Sequence, residues 1–566
     1  MISKIILMMA ITLTGKVMGI LRDRMQGIHY GTYTIEGIAF EQAALLPRTF
    51  LDIMFASVFS ASFIPIFNRY LETKGQEAAF NLAARFIKGL LLITITISLL
   101  SIVLAAPLHS LLLDGEALAP ETRDLAITLL RIMFPIMIIS SLAFSLTGIL
   151  QSLGQFNIPA AMSIASNGII LAYYFFFIER FGVYGLAIAF LIGWSAQVAI
   201  QIPFLYRRGF FKTLGLCPKP RKLLKKFDQN FRMGIFMKDL IKIPKLKFLS
   251  NFFKKVRGGL GAEPPRSSDL HEVWRLALPV MVASWLVPVN FLVNTRAAVN
   301  LYGGLHGFVS ISRAHGLFIV ITGLFVMSLA NMLFPALSKL AAREDWAAYA
   351  AYLRSSLRGM LFVLLPMTFG LMILARPLVR LVFLGGRFQE LSVEITATAL
   401  FFYSLGIVGF GLQLVLSRAC FALQDGRGPL FTALLAMGIN FVLSFALAPG
   451  MEIAGPALAS AIAISVAGLG LALRLWRRMI IWDINASFEV GKMLVLAVLM
   501  YFAVSAWMPG IEAVFAGDDL PARLMVVVVP AGIGLSFYFV SALILKVPEA
   551  RMGMEWLLVR LKLKGV

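Results

Sequence analysis

Lys16, Arg22 and Asp23 stand in the second half of an otherwise apolar opening segment, GKVMGILRDRM (15–25) after MISKIILMMAITLT (1–14). Lys16 and Asp23 are seven residues apart, so on a helix they share one face, with Arg22 beside them. The next apolar stretch places Glu41, Arg48 and Asp52 at i, i+7 and i+11, again on one stripe, and Arg48 and Asp52 are spaced to pair. Arg296 and Arg313 interrupt two later apolar segments, Arg313 within SISRAHGLF (310–318). Guanidinium forks take phosphate oxygens two at a time, and a lysine adds a point charge. A chamber lined by these groups implies an anionic substrate and would hold a diphosphate without covalent chemistry. Plainer roles compete at some positions. Arg24 reads equally as a residue snorkelling to headgroups, Asp52 as the structural partner of Arg48, and Arg296 as an interfacial anchor. His315 points to a different helical face from Arg313 and reads as a satisfied polar residue, and Asn290, Asn294 and Asn440 read as interhelical hydrogen bonders.

The elements that carry these charges follow from composition. The 566 residues are 59% hydrophobic and 14% charged, with a mean hydropathy of +0.86. A soluble globule would carry about 25% charged residues. Apolar stretches long enough to cross a hydrocarbon layer of ~30 Å as helices recur from end to end, and the short alternating segments of a β-barrel are not evident. The expected fold is an all-α polytopic membrane protein of about fourteen spans, centred near residues 14, 52, 94, 136, 168, 193, 287, 322, 362, 406, 438, 463, 497 and 535. The opening segment has Lys4 and an apolar core but no small-x-small cleavage pattern, so it reads as a retained first span. The two cysteines, Cys217 and Cys420, imply neither a disulfide framework nor a metal cluster. No Asp-x-Asp metal motif, nucleophile elbow, phosphate-binding glycine loop or metal-ligand cluster is seen, so the reading is a transporter with no cofactor and no metal, and an enzyme is the least favoured class.

Lysine and arginine bias orients the chain. With both termini in the cytoplasm, the inside segments NRYLETKG (68–75), SKLAARED (338–345), LRLWRRM (473–479) and VRLKLKGV (559–566) are basic, and outside loops such as GIEAVFAGDDLP (510–521) are acidic or nearly neutral. One loop dissents: RPLVRLVFLGGRF (376–388) falls outside yet holds three arginines. The net charge of +22 is concentrated in residues 207–269, where 17 basic residues face four acidic ones. In a membrane protein such a run reads as a cytoplasmic surface segment on anionic inner-leaflet lipids rather than a nucleic-acid site. Self-similarity adds a further constraint. At a constant offset of 270, FIPIFNRYL (63–71) falls on LFPALSKLA (333–341), Pro159 on Pro429, Gly185 on Gly455 and YRR (206–208) on WRR (476–478). The expected organisation is an N-lobe of spans 1–6 (1–206), a basic loop (207–270), a C-lobe of spans 7–12 (271–478), and a C-terminal helix pair with a basic tail (479–566). Six spans per lobe make the repeats parallel, and two such lobes rocking about a shared cavity is the geometry of alternating access.

These residues resemble a known family. GKVMGILRDRMQG (15–27), LLPRTF (45–50), SASFIPIFNRYLETKGQE (60–77), ISRAHG (311–316), NMLFPALSKLA (331–341) and ALQDGRGP (422–429) look like the MurJ (MviN) lipid II flippases of the multidrug/oligosaccharidyl-lipid/polysaccharide exporter superfamily. The likeness spans the fourteen helices, with the basic loop as an addition. It implies a protein of the bacterial cytoplasmic membrane that carries lipid-linked peptidoglycan precursor from the inner to the outer leaflet for cell-wall synthesis, in company with the cell-wall synthesis machinery. It matches the family's first-helix Arg-Asp to Arg22 and Asp23, its preceding basic residue to Lys16 and its eighth-helix arginine to Arg313, and it makes the last two helices a groove for the polyprenyl tail. The family's second-helix Arg-Arg pair falls on Leu51 and Asp52 here, with Arg48 a turn earlier in its place. Its acidic residue near the start of that helix has Glu36 as the nearest counterpart, and a common glutamate after the eighth-helix arginine is Gly316. The acidic residues through which some members bind sodium are not found in the seventh and eleventh helices. The alternatives are a flippase for another polyprenyl-diphosphate glycan, of O-antigen or capsule type, and an inactive membrane scaffold.

Overall fold

The computed structural model describes residues 2–54, 63–213, 285–477 and 484–562. Most of the basic loop, Cys217 and the last residues of the tail lie outside them. The described chain is helical, and its ordered segments fall at the positions expected for the spans. Ten helices are long and apolar enough to cross a membrane, or eleven if the pair Glu390–Ser404 and Ile407–Ala422, bent by 47°, is one span. The expected fourteen would add Ile2–Tyr30, Ile35–Met54 and Leu286–Ala298, which carry most of the interior charges and are not among those eleven. Large apolar side chains such as Val103, Phe176, Val514 and Ile544 stay exposed on the outside, as lipid-facing residues do.

Local chemistry sets the helix ends near the charged stripe. Ile2–Tyr30 stops at Gly31, whose φ of +62° is the left-handed cap that glycine adopts freely. The following helix starts where the Thr34 hydroxyl accepts the Gly37 N–H at 3.1 Å. Pro135 breaks the fourth span into Pro120–Met133 and Ile136–Ser152.

The 270-residue offset returns in the backbone. Gly154 (φ +74°) and Gln424 (φ +58°) are both left-handed, each just after a helix end. Gly182 (φ 52°, ψ −146°) and Glu452 (φ 50°, ψ −132°) share an uncommon conformation. The helix break at Phe134–Pro135 recurs one residue out of that register, at Leu405–Gly406. Buried side chains gather into three clusters. One runs from Tyr30 to Phe210 and takes in Val299, Phe308 and Val309; the second runs from Leu286 to Leu475; the third joins Leu361 and Leu365 to residues of the last helices, such as Met493, Met500 and Tyr538.

The short helix Ala105–Leu112, beyond the third span, carries buried His109, whose Nε2 lies 2.9 Å from Gln42 Oε1. Burial lowers its pKa from 6.5 to about 4. The unfolded chain therefore binds a proton that the folded chain refuses between those values, and stability falls as pH drops through the window. In detergent, the melting temperature should decline from about pH 6.5 to pH 4, and His109→Gln should flatten that part of the curve.

Candidate functional site

The first and fifth helical segments approach closely because the first is glycine-lined where they cross. A Cβ on Gly15 would sit 3.0 Å from Ser163 Cβ, and one on Gly19 would sit 3.5 Å from Asn167 Nδ2. Asn167 of Asn157–Phe176 donates to the Gly15 carbonyl at 3.2 Å and accepts from Arg22 Nη1 at 3.1 Å. Arg22 also makes a two-point contact with Asp23 Oδ1, through Nε at 2.9 Å and Nη2 at 2.7 Å, and lies over the Phe190 ring at 5.7 Å. It is thereby locked in orientation from three sides.

Arg313 arrives from the other half of the chain on Gly307–Ala342 and is 7% exposed. Its Nη2 donates to Glu41 Oε2 at 3.0 Å, and its Nη1 lies 3.8 Å from Asp23 Oδ1. Asp23 thus stands between the guanidinium groups of the two halves. Gln26 Nε2 donates to Glu41 Oε2 at 2.9 Å, and the Ser312 hydroxyl donates to Glu41 Oε1. The result is an almost neutral cluster of two arginines and two carboxylates, in which every charge has a partner. A cavity of about 490 Å³ opens beside it, with Arg22, Asn167 and Gln197 in its wall and Thr12, Thr147 and Gln151 farther along.

The remaining expected residues fall into three groups. Lys16 is half-buried and Arg48 exposed, and among the described residues neither has an ion-pair or hydrogen-bond partner. Lys16 lies seven residues before Asp23, and Arg48 seven after Glu41, on helices running in opposite directions. Both therefore lie about 10 Å from the paired cluster, toward the same end of the molecule. Arg24 turns away: its Nη1 donates to the carbonyls of Leu381 at 2.8 Å and Val382 at 3.0 Å, near the end of Trp346–Phe383. Arg296 is half-buried at the end of Leu286–Ala298, outside the cluster. Glu36 is exposed in the first turn of its helix, and Glu41 is the acid that meets Arg313. The Asp52 side chain lies outside the described residues, so its pairing with Arg48 does too.

Sequence reasoning placed Glu41 only on a stripe with Arg48, and missed Gln26, Asn167 and Ser312 as members of the cluster. Asn167 carries no local signal, since its role exists only where the two helices cross. Asn294 and Asn440 behave as expected, whereas among the described residues Asn290 contributes only its backbone carbonyl, which accepts from Asn440 Nδ2 at 3.3 Å. Asn440 Nδ2 donates to Asn294 Oδ1 at 3.0 Å, Ser444 donates to the same oxygen at 3.0 Å, and Asn294 donates to the Tyr403 hydroxyl at 3.1 Å.

Beyond the paired cluster, the halves interlock at one end. Thr32 Oγ1 lies 2.7 Å from both Ser392 Oγ and His306 Nδ1, Arg387 N donates to Ile28 O at 2.9 Å, and the Ala117 N–H donates to Asn300 Oδ1 at 3.4 Å. Gly31 and Gly386 permit this backbone approach, because a Cβ on either would collide with the carbonyl of Arg387 or Ile28. At the other end, among the described residues, Gln76 donates to the Arg208 carbonyl at 2.9 Å and Arg474 pairs with Asp425 at 2.9 Å, each within one half.

Comparison with known proteins agrees with this arrangement. The family model described as "Lipid II flippase MurJ" matches residues 34–517. A probable lipid II flippase MurJ of Rhizobium meliloti is 26% identical over 505 residues, covering 87% of this chain and 84% of the relative. The lipid II flippase MurJ of Burkholderia cenocepacia is 26% identical over 506 residues, covering 87% and 88%. In fold, the chain is similar to a solved structure titled "Lipid II flippase MurJ, inward closed conformation", with a TM-score of 0.68 at 19% identity, covering 95% of this chain and 99% of that one. It is also similar to an inward-facing multidrug transporter of the MATE family, with a TM-score of 0.61 at 14% identity, covering 84% and 98%. With charged residues of both halves meeting inside a bundle of membrane-spanning helices, and a family model that covers most of its length, this multi-pass membrane protein belongs to the MurJ lipid II flippase family.

Proposed function

We infer that the protein translocates lipid II, the polyprenyl-diphosphate-linked peptidoglycan precursor, from the inner to the outer leaflet of the cytoplasmic membrane by alternating access. The observation that carries the site assignment is the meeting of Arg22 and Arg313, from opposite halves, on the Asp23 carboxylate. The two lobes are residues 1–206 and 271–478, and both termini are cytoplasmic. The interlocked end is then the outer one, and this conformation is shut toward the outside. Substrate enters from the cytoplasmic side and meets Lys16 and Arg48 first. Their two positive charges balance a diphosphate diester, which bears two negative charges, while Arg22 and Arg313 are still held by Asp23 and Glu41.

The diphosphate then competes with the carboxylates for the guanidinium forks. That exchange loosens the Arg313–Glu41 and Arg313–Asp23 contacts between the halves and so favours the outward swing. Asp23 and Glu41 reclaim the arginines once the anion leaves, which keeps the product from staying bound. Bond-making chemistry has no part in this cycle. A negative-inside potential adds about 2.3 kcal/mol per charge per 100 mV traversed. The basic loop rests on anionic inner-leaflet lipids, the last two spans guide the polyprenyl tail, and the cell-wall synthesis machinery receives the product. The rival reading, a flippase of O-antigen or capsule-type precursors, is not favoured by the family match.

A reconstituted translocation assay with lipid II tests this reading. Lys16→Gln combined with Arg48→Gln should lower capture of the precursor by about 10-fold or more, because each charge-assisted contact is worth roughly 1.5–3 kcal/mol. The maximal rate at saturating precursor should change less. Unchanged concentration dependence would remove both residues from the entry step, and failure of the wild-type chain to move lipid II would sink the function.

A further inference from the structure

The three arginines of the dissenting loop are not used by the translocation site. Two of them, Arg376 and Arg380, line a second cavity of about 330 Å³ with Glu390, Glu512 and Arg523, where Trp346–Phe383, Glu390–Ser404 and the turn between the last two spans come together. The size lies at the low end of the range for small-molecule sites. Part of this charge is already matched. Arg380 pairs with Glu390 at 2.8 Å and Asp518 at 3.0 Å. Arg523 donates to the Leu384 carbonyl at 2.9 Å and lies 3.7 Å from Asp518.

Arg376 and Glu512 are different. Both are exposed in the cavity wall, and among the described residues neither has a partner, so the two do not close on each other. A simple anion would meet Arg376 but set itself against Glu512, and a simple cation would do the reverse. A ligand with a phosphate and an amine a few bonds apart satisfies both. Pro377, Phe515, Ala516 and Val526 add apolar surface to the wall. Acyl chains would lie against such side chains.

We propose that this cavity is a headgroup site for a zwitterionic phospholipid of the phosphatidylethanolamine class, with phosphate toward Arg376 and ammonium toward Glu512. It places a structural lipid where the C-terminal helix pair meets the ninth and tenth segments, and it does not depend on what the translocation site carries.

Native mass spectrometry of the full chain, titrated with phosphatidylethanolamine and phosphatidylglycerol of identical acyl chains, tests the proposal. The wild type should retain phosphatidylethanolamine several-fold better. Glu512→Gln should erase that preference by weakening only the amine-bearing lipid, whereas Arg376→Gln should weaken both. Arg376→Lys and Glu512→Asp keep the charges and should restore most of the retention. Arg477→Gln, at the opposite end, should change nothing. Equal retention of the two lipids by the wild type, or a preference that survives Glu512→Gln, would overturn the site. Both side chains are exposed and unpaired, so melting curves of these variants should match the wild type.

Discussion

Arg313→Gln is expected to abolish translocation in proteoliposomes, and a cell depending on this chain for its lipid II flippase should not grow with the variant. The side chain is 7% exposed and holds Glu41 at 3.0 Å while reaching to 3.8 Å from Asp23. Removing one partner of a buried, hydrogen-bonded charge pair costs roughly 2–5 kcal/mol, so the rate should fall by about 100-fold or more. Two effects add. The diphosphate loses a bidentate donor, and Glu41 is left as a charge bound only by Gln26 and Ser312. Arg313→Lys separates them, because it keeps the charge but not the fork, and should retain partial activity. The neighbouring Arg24→Gln should behave differently, since Arg24 holds the carbonyls of Leu381 and Val382 and not the paired cluster. Near-normal translocation by Arg313→Gln would remove the central residue of the site.

The second large effect concerns closure. Thr32 Oγ1 and Ser392 Oγ lie 2.7 Å apart across the two halves, where cysteine sulfurs could join. In a chain with Cys217 and Cys420 replaced by serine, Thr32→Cys combined with Ser392→Cys should cross-link under oxidation. Translocation should stop completely and return on reduction, since a covalent bridge at the interlocked end forbids the swing that opens it. Each single cysteine variant should be nearly normal. Full transport with the bridge formed would mean that the two halves need not separate at this end, and alternating access as described would fall.

Local sequence stops informing where side chains of different helices meet. The apolar segments, the 270-residue offset and the charged faces are one-dimensional properties, and they were readable because lipid demands long apolar helices and penalises charge within them. Arg22, Asp23 and Arg313 stood out for that reason alone. Glu41 reads in the chain only as part of a stripe with Arg48 and Asp52, because a single helix does not reveal which of its faces meets another lobe. Arg24 and Arg22 are two residues apart and look equivalent in the chain, yet about 200° of helical rotation sends one to Asn167 and the other to the ninth segment's carbonyls.

The amino-acid sequence by itself determined the all-helical membrane class, the repeated offset and the arginines that no lipid-facing role explains. Those follow from solvation energies and helical periodicity, which act over a few neighbouring residues. Only the tertiary structure decided which carboxylate faces which guanidinium, that Lys16 and Arg48 stand apart from that cluster, and that the halves are locked at one end. Such outcomes depend on distances of 2.7 to 3.8 Å between residues up to 360 positions apart, and side chains that distant along the chain meet only after the helices have packed.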